Sequence, residues 1–560
     1  MPSNLYLLVL PVNVLYVVIG IILFLSLHRA YKARARVNEL RKMSMPMPPW
    51  NWFTGHLLIL QRYMSKFPKD TFINVIISDV ARELGNVDMF YLDLWPFLKP
   101  TLFICSPDPA FQAANKFNLP KPSMYRVMFE PINGGPNLLT MNGEQWKFWR
   151  SLFNPGFAPA YLMQQVPAII DCVQTFTDRL RDLDGKVLPL QNFTTPLTMD
   201  VIMRVALDLE LNCQRNEHPL VNSLLTMISW SKLGNPLARF NPVRTFVLRK
   251  HDKIMNRIIG GELQKRFEEL HNSSQSATDV DSKRSKSVVT LTLSEYHKVN
   301  NNSKVESATL DKHFADFATY QLRLFLFAGH DTVTSVLVYI YHMLYKHPEV
   351  RYHMCQEHEA VFGPNASNAS NILRANPLLL NQTPFTLAVI KETMRLFPPA
   401  GAMREGGPIL VDRNGLKFPT DDCLVSNSHH TIHRNPNVWV RAEDFLPERW
   451  LVDASHELYP PPDAFRPFEL GPRMCIGHNL SLIELKITLI MTVRTFRVEP
   501  AYEKWDELKG KGIAERALGK WWSGCEKVLT VDGDRAYQEE KGGAHPSEGY
   551  PCTVQVISQG

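Results

Sequence analysis

The sequence has few cysteines for its length, and they are scattered. Eight occur among 560 residues, and none of them form a C-x-x-C pair. This excludes a zinc ribbon and a disulfide framework, because both need closely and regularly spaced cysteines. Most of the thiols are therefore expected to be reduced and buried, in a protein that faces the cytosol.

Nucleotide-binding fingerprints and a strong net charge are also missing. Neither G-x-G-x-x-G nor G-x-x-x-x-G-K-[S/T] occurs, so the sequence shows no flavin, nicotinamide or P-loop module of the common kinds. A net charge of +6 is small for this length and does not indicate nucleic-acid binding. With 45% hydrophobic and 21% charged residues, the composition is that of a globular protein with a large core.

A long uncharged run is present at the N-terminus. Residues 5–27 contain no charged side chain and would form roughly 35 Å of helix, which is enough to cross a bilayer. Basic residues follow it at Arg29, Lys32, Arg34, Arg36, Arg41 and Lys42. This asymmetry predicts a single-pass membrane anchor with the rest of the chain in the cytosol. A cleaved signal peptide is the alternative, but the run is longer than such a peptide needs and no small-residue cleavage site follows.

The remainder divides by pattern into a connection and one large domain. We expect residues 1–28 to be the anchor, residues 29–56 a basic and proline-rich hinge, and residues 57–560 the catalytic domain. Helical periodicity dominates this domain, and residues 313–350 predict one long buried helix that ends at His347-Pro348. Residues 271–310 are polar and predict a solvated loop with at most one short helix. Short β-type segments at 400–440 and after residue 525 complete a fold that is mostly α with a minor antiparallel β part.

One cysteine lies in an unusual setting, the stretch FELGPRMCIGHNL at residues 468–480. Gly471 permits a tight turn, and Gly477 lets the backbone lie close to a flat group. Apolar residues then recur with a helical period at Leu480, Ile483, Ile487 and Ile490. Cys475 is therefore expected at a helix N-terminus, which favours a thiolate, while Arg473 offers a donor fork for a carboxylate. A thiolate ligand for iron and an arginine for a propionate together suit haem.

The pattern Phe468-x-x-Gly471-x-Arg473-x-Cys475-x-Gly477 resembles the haem signature of cytochromes P450 at every fixed position. Ser481 stands where the family usually has alanine. The resemblance extends over nearly the whole chain and implies the cytochrome P450 fold, with Phe468, Arg473 and Gly477 around the cofactor and Cys475 as the axial ligand of the haem iron.

The predicted long helix contains the polar stretch AGHDT at residues 328–332. A threonine hydroxyl can bond back to the preceding turn of a helix and leave a polar notch in a dry pocket. The resemblance implies that Thr332 and Asp331 are catalytic, assisting oxygen activation and proton delivery. A second threonine often follows in the family, where this chain has Val333. An acid that is only ion-paired within a core is the alternative for Asp331.

Further family motifs imply structural and cofactor-binding residues. Glu392 and Arg395 lie three apart on one helix face, and the family joins such a pair to a downstream arginine, here Arg449, in a buried network that shapes the fold. The residues implied to reach the haem propionates are Trp146, Arg150 and Arg404. His433 is a weaker candidate for the same role.

Together these motifs predict a haem-thiolate monooxygenase that inserts one oxygen atom from O2 into an apolar small molecule. The resemblance to the endoplasmic-reticulum class implies membrane lipid and an NADPH–cytochrome P450 reductase as partners, and it excludes nucleic acid. Fungal secondary-metabolite enzymes, which act on polyketide- or terpenoid-like substrates, are the most similar in style. The alternative is a P450-fold enzyme that catalyses desaturation, ring rearrangement or another non-hydroxylating oxidation. A haem sensor without catalytic activity is less compatible with the retained Asp331-Thr332 pair.

Overall fold

The computed structural model describes residues 12–183, 185–231, 241–275, 287–300, 310–509 and 530–557. Its α-helices are α1 (Val12–Lys42), α2 (Leu57–Met64), α3 (Ile73–Glu83), α4 (Pro107–Phe111), α5 (Met124–Asn133), α6 (Gly143–Phe153), α7 (Pro159–Gln164), α8 (Val166–Arg181), α9 (Gln191–Leu207), α10 (Pro219–Ser231), α11 (Pro242–Gln275), α12 (Val288–Asn300), α13 (Lys312–Lys346), α14 (Pro348–Phe362), α15 (Ala369–Ala375), α16 (Pro384–Leu396), α17 (His429–Arg434), α18 (His478–Thr492) and α19 (Tyr502–Lys509). Helix α12 lies within the stretch predicted to be a polar loop, of which residues 276–286 and 301–309 fall outside the described ranges.

The strands are short and form small sheets, as the sequence predicts. They are β1 (Met89–Leu92), β2 (Thr101–Ile104), β3 (Leu188–Pro189), β4 (Ala402–Glu405), β5 (Ile409–Val411), β6 (Lys417–Pro419), β7 (Leu424–Asn427), β8 (Phe496–Pro500), β9 (Gln538–Glu540), β10 (Ala544–Pro546) and β11 (Pro551–Val556). The sheets have the strand orders β1-β2-β7-β4, β3-β11-β8, β9-β10 and β5-β6. All of these pairs are antiparallel except β2–β7, which is parallel. The predicted class, mostly α with a minor antiparallel part, is confirmed.

Helix α13 is the long helix predicted from residues 313–350. The Asp311 carboxylate caps its N-terminus by accepting the backbone N–H of Phe314 at 2.8 Å. The helix ends before His347, because Pro348 lacks a backbone donor and instead begins α14. Most of its residues are buried on all sides, as expected for the central helix of a large core.

Helix α9 packs closely across α13 at the polar stretch. A Cβ atom on Gly329 would lie 2.9 Å from Cγ1 of Ile202, so only glycine permits this approach. The Thr198 hydroxyl is 3.2 Å from the carbonyl oxygen of His330 and 2.9 Å from the Thr334 hydroxyl. These contacts fix the position of residues 328–334 relative to the core.

Among the described residues, helix α1 is one of two helices that are apolar and long enough to cross a membrane. The other is α13, which the core buries, whereas residues 16–27 of α1 are exposed. The helix does not end at residue 28, where the sequence suggested that the anchor stops. Its last turns pack on the large domain through Arg34, Val37 and Leu40, which are buried and spaced three residues apart.

The connection after α1 is also held by the domain. Arg34 is ion-paired with the buried carboxylate of Asp93, which accepts the indole N–H of Trp50 at 2.9 Å. The Arg34 guanidinium also donates to the Phe53 carbonyl oxygen at 3.2 Å. Segment 29–56 is thus a packed connection along much of its length, and its role as a hinge stays a prediction.

The hairpin β9–β10 lies against α13. The backbone N–H of Ala544 donates to the Pro399 carbonyl at 2.9 Å, and the Ser335 hydroxyl donates to the Ala544 carbonyl. Strand β11 then pairs with β8, which confirms a strand in the predicted stretch PCTVQVISQ. Residues 525–529, also predicted to be extended, lie outside the described residues. The C-terminal part of the chain thereby reaches the polar stretch of α13.

Candidate active site

The loop that carries Cys475 folds back on itself immediately before α18. Gly471 has a φ of +79°, and a Cβ atom there would lie 3.0 Å from the Ala114 carbonyl oxygen. The backbone N–H of Cys475 donates to the Phe468 carbonyl at 2.9 Å, which closes the loop. The predicted tight turn at Gly471 and the helix N-terminus after Cys475 are therefore confirmed.

The neighbours of Cys475 shift the pKa of its thiol in opposite directions. Burial raises the pKa of the thiol, while the backbone N–H groups of Gly477 and His478 and the charge of Arg150 lower it. The Cys475 side chain is exposed although it lies deep in the protein, so it faces interior space. Donors arranged in this way favour a thiolate once a cation comes within bonding distance of the sulfur.

A cluster of cations lies near this loop. Arg473 donates to the Met141 carbonyl and to Oδ1 of Asn142, both at 2.9 Å, and its guanidinium lies 4.3 Å from the ring centre of Trp146. Arg150 donates to Oδ1 of Asn154 at 2.8 Å. Burial, with the charges of Arg404 and Arg150, lowers the pKa of Arg473 to about 10. Like charges held together inside a protein indicate a site for an anion.

Arg404 has the fewest hydrogen bonds of the arginines in this cluster, among the described residues. Strand β4 pairs with β7 and carries this side chain into the interior, where it is fully buried. None of its three guanidinium nitrogens has a hydrogen-bond partner among the described residues. A buried unpaired guanidinium costs several kcal/mol, roughly 3–5 by analogy with broken buried ion pairs, so a carboxylate from outside the chain is expected there.

Sequence reasoning missed two residues of this cluster. Burial lowers the pKa of Lys121 well below its ordinary value, and the charge of Arg404 adds to the effect. Glu469, with a φ of +56°, accepts from His429 at 3.0 Å and lies near Arg404. Lys121 gives no local signal, since a lysine between prolines reads as a surface loop. Glu469 could have been found, because it lies inside the cysteine motif itself.

Glu392, Arg395 and Arg449 form a closed and fully buried network. Arg395 donates to both Glu392 oxygens at 2.8 and 3.0 Å, and Arg449 donates to Oε1 at 2.9 Å. The indole N–H of Trp450 donates to Oε2 of Glu392 at 3.0 Å. Two further Arg395 donors reach the carbonyls of His433 and Ala442 at 2.7 and 2.6 Å. The network thus ties α16 to the chain segments that precede the cysteine loop.

His433 belongs to this packed region and has no nitrogen free for a ligand. Its Nδ1 is 3.1 Å from the Arg395 carbonyl, and its Nε2 accepts the backbone N–H of Arg466 at 2.9 Å. Burial also lowers its pKa well below the ordinary value, which keeps the ring neutral. The suggestion that His433 reaches a propionate therefore has no support in the geometry.

The polar stretch of α13 presents one accessible face inside the core. Ala328 is exposed, and Gly329 and Thr332 are partly accessible, although their neighbours are buried. The Thr332 hydroxyl donates to the Ala328 carbonyl at 2.9 Å, as the sequence predicted, while α13 continues as an α-helix. Asp331 lies beside this face and is paired at 2.8 Å with Nε2 of His545, a partner that the sequence did not indicate.

Comparisons with known proteins agree over most of the chain. The sequence profile of the cytochrome P450 family matches residues 45–519. Cytochrome P450 monooxygenase polC of Polytolypa hystricis is 38% identical over 95% of this chain and 93% of the relative. Cytochrome P450 monooxygenase acrF of Aspergillus aculeatus is 30% identical over 88% and 98%. The crystal structure of the cytochrome P450DA heme domain has a TM-score of 0.68 at 16% identity, covering 91% of this chain and 97% of that one.

The residues found here fit the cofactor of that family, which is haem. A thiol that faces interior space beside backbone donors suits an iron atom, and the unpartnered guanidinium of Arg404 suits a propionate. A Cβ atom on Gly477 would meet only the Cys475 sulfur, at 3.8 Å, so the backbone is open to close approach by a flat group. The chain therefore belongs to the cytochrome P450 family of haem-dependent monooxygenases.

Proposed function

We propose that this protein inserts one atom of O2 into an apolar organic substrate in fungal secondary metabolism. The observation that carries the proposal is an interior cysteine thiol beside the backbone donors of Gly477 and His478, together with a buried Arg404 guanidinium that has no hydrogen-bond partner among the described residues. The two fungal relatives support the metabolic setting. When haem is bound, the thiolate-ligated iron supplies activation of dioxygen.

Residues of this chain would ligate the haem iron and bind the haem propionates. Cys475 would ligate the iron, with Phe468 and Gly477 shaping the loop around its sulfur. Arg404, Arg473, Arg150 and Trp146 would bind and orient the propionates, and Lys121 lies in the same cluster. Bringing two carboxylates into this cluster would relieve the repulsion that now lowers the pKa of Arg473.

Thr332 and Asp331 would assist oxygen activation and proton delivery. The Thr332 hydroxyl already donates to the Ala328 carbonyl, so its oxygen retains acceptor capacity toward the accessible face of α13. Burial raises the pKa of Asp331, but His545 and the Gly543 N–H outweigh it, and the pKa lies below its ordinary value. Asp331 is therefore ionised in this site, and in the proposed reaction it would accept a proton and pass it on.

Electrons for this reaction must come from another protein, and we propose an NADPH–cytochrome P450 reductase. Helix α1, with its exposed apolar residues, would anchor the chain in lipid of the endoplasmic reticulum by a single pass, with the catalytic domain in the cytosol. An apolar substrate could then enter from the same membrane in which it dissolves.

Deleting the gene and comparing metabolites tests the proposal most informatively. The deletion strain is expected to accumulate a precursor that lacks one oxygen atom of the normal product. Purified protein with reductase, NADPH and isotopically labelled O2 should convert this precursor and incorporate one labelled atom. Conversion without labelled oxygen would instead support the alternative, which is desaturation if two hydrogens are lost and rearrangement if the composition is unchanged.

A further inference from the structure

A groove of about 430 Å³ lies between α1 and the large domain. One wall is a face of α1 that carries Arg29, Lys32 and Arg36, which are spaced three or four residues apart. The loop at residues 95–100 forms much of the opposite wall. Among the described residues, those assigned to the haem site do not line this groove, so it is a separate feature of the molecule.

The wall on the domain side is mainly apolar. It includes Trp95, Phe97 and Leu98, and the Phe97 side chain is 57% exposed. A large apolar side chain left exposed beside a groove indicates an interaction with another apolar group. The wall is therefore suited to a hydrocarbon chain.

The groove begins where the exposed apolar part of α1 ends. Arg29 follows Leu27 by two residues, which corresponds to about 3 Å along the helix. If residues 16–27 lie in a bilayer, Arg29 and the mouth of the groove lie at the level of the lipid headgroups. A lipid can then enter the groove without leaving the membrane.

The acidic residues that line the groove, among those described, are already paired. Asp422 forms an ion pair with Lys32 at 3.1 Å, and Glu405 forms one with Lys99. A positively charged group on a ligand, such as choline, would therefore find no free carboxylate. The groove disfavours a zwitterionic headgroup relative to an anionic one.

Arg29 is the cation of the groove that has no partner. Arg36, on the same face of α1, is paired with Asp421 at 2.7 Å. Arg29 is exposed and has no ion pair or hydrogen bond among the described residues. A phosphate is the anion found at the level of the headgroups, and an arginine there attracts anionic lipid.

We propose that this groove binds one anionic glycerophospholipid from the membrane. Its phosphate would pair with Arg29, and the upper part of an acyl chain would pack against Phe97 and Leu98. The lipid would thereby join α1 to the domain at the membrane surface. This inference rests on the proposed anchoring of α1 in lipid.

Two variants of α1 test the site in the full-length protein. Arg29→Gln removes the unpaired charge but keeps a helix-forming side chain of similar length. Ala33→Leu fills the groove, because Ala33 lines it between Arg29 and Arg36. Both changes lie on a helix face that the core does not cover, so the fold should tolerate them.

Each variant has a matched control on the same helix. Arg41→Gln removes a charge about 18 Å further along α1, which is beyond the Debye length of about 10 Å. The Arg41 guanidinium lies 5.5 Å from the ring centre of Trp50, outside the groove. Ala35→Leu adds the same apolar volume at a position that does not line the groove, as far as the described residues show.

The measurement is native mass spectrometry of protein released from nanodiscs that contain equal amounts of phosphatidylglycerol and phosphatidylcholine. Wild type and both controls are expected to retain one phosphatidylglycerol per chain. Arg29→Gln should lower the preference for phosphatidylglycerol by about fivefold, since one cation near the surface is removed. Ala33→Leu should lower the retention of both lipids severalfold.

Two results would overturn the proposal. Equal retention of the two lipids by wild type would show that the groove does not recognise an anionic headgroup. Unchanged retention by Ala33→Leu would show that the lipid binds elsewhere on the protein.

Flotation with liposomes separates a failure of the groove from a failure of the anchor. Wild type and all four variants are expected to float, because the apolar run of α1 is unchanged. A wild-type protein that does not float would refute the proposed anchoring. A wild-type protein that floats but retains no lipid in the mass spectrum would overturn the groove alone.

Discussion

Two of the regions that contain buried arginines differ in the hydrogen bonding of these side chains. In the network behind the cysteine loop, Arg395 and Arg449 share the carboxylate of Glu392 and reach several carbonyls. In the cluster beside the loop, Arg404 is equally buried, yet none of its nitrogens has a partner among the described residues. The first region is closed by hydrogen bonds within the chain, whereas the second leaves a guanidinium without a hydrogen-bond partner among the described residues, which supports the proposal that it binds a propionate.

Removing the carboxylate of the closed network should have the largest effect. Glu392→Ala leaves Arg395 and Arg449 buried without their shared partner, at a cost of about 3–5 kcal/mol. Since a domain is stable by only about 5–15 kcal/mol, we expect little folded, haem-containing protein. The haem content per protein and the midpoint of urea unfolding measure this effect.

Glu484→Gln is the matched control for that variant. Glu484 is also buried, but burial raises its pKa well above the ordinary value, which favours the neutral form of this acid. Its amide replacement should therefore change stability little. If Glu392→Ala were as stable as Glu484→Gln, the network would not have the structural role assigned to it.

Truncating the open arginine should affect cofactor retention rather than the fold. Arg404→Ala removes charged hydrogen bonds to a propionate worth about 1.5–3 kcal/mol, which corresponds to roughly tenfold to hundredfold faster haem loss. The apoprotein should be no less stable than wild type, because the variant also removes an unpaired buried charge. Transfer of haem to excess apomyoglobin measures the rate.

Arg404→Lys, which keeps the charge without the fork, should lose haem at an intermediate rate. Equal rates of haem loss in wild type and in Arg404→Ala would remove Arg404 from the cofactor site. The comparison between the two arginine regions would then lose its functional meaning.

Lys486 has hydrogen bonding intermediate between that of the closed Glu392 network and that of Arg404. Replacing it should have the smallest effect. Its ammonium is buried and donates to one carbonyl, that of Leu380, at 2.7 Å, and burial lowers its pKa to about 8. The unfolded chain binds this proton more tightly than the native state does, so wild type gains stability as the pH rises from about 8 toward 10.5.

Lys486→Met should remove this dependence, with a difference of about 1–2 kcal/mol, because each unit of pKa shift corresponds to about 1.4 kcal/mol. Urea unfolding of both proteins at about pH 7 and at about pH 9.5 measures it. An identical pH dependence in the two proteins would show that Lys486 is not held as the structure indicates.

Local patterns were sufficient to predict several parts of the molecule. The cysteine loop was predictable because its glycines, its arginine and the helical period after it all lie within 25 residues of sequence. Helix α13 was predictable because its apolar run ends at a proline. The Glu392–Arg395 pair could be located from its spacing, although its burial came from the family resemblance.

Features that depend on long-range contacts could not be predicted from the sequence. The isolation of Arg404 depends on the pairing of β4 with β7, and the partner of Asp331 lies on a hairpin more than 200 residues away. The packing of the last turns of α1 on the domain was not predicted, because the buried residues Arg34, Val37 and Leu40 lie in a stretch rich in basic residues. Such contacts leave no trace in local periodicity.

The identity of the axial ligand is the central claim, and one spectrum tests it. Reduced full-length protein with carbon monoxide should show the red-shifted Soret band that a thiolate ligand produces, and Cys475→Ser should lose this band while Cys172→Ser keeps it. A Cys475→Ser protein that retains haem and the red-shifted band would contradict the account.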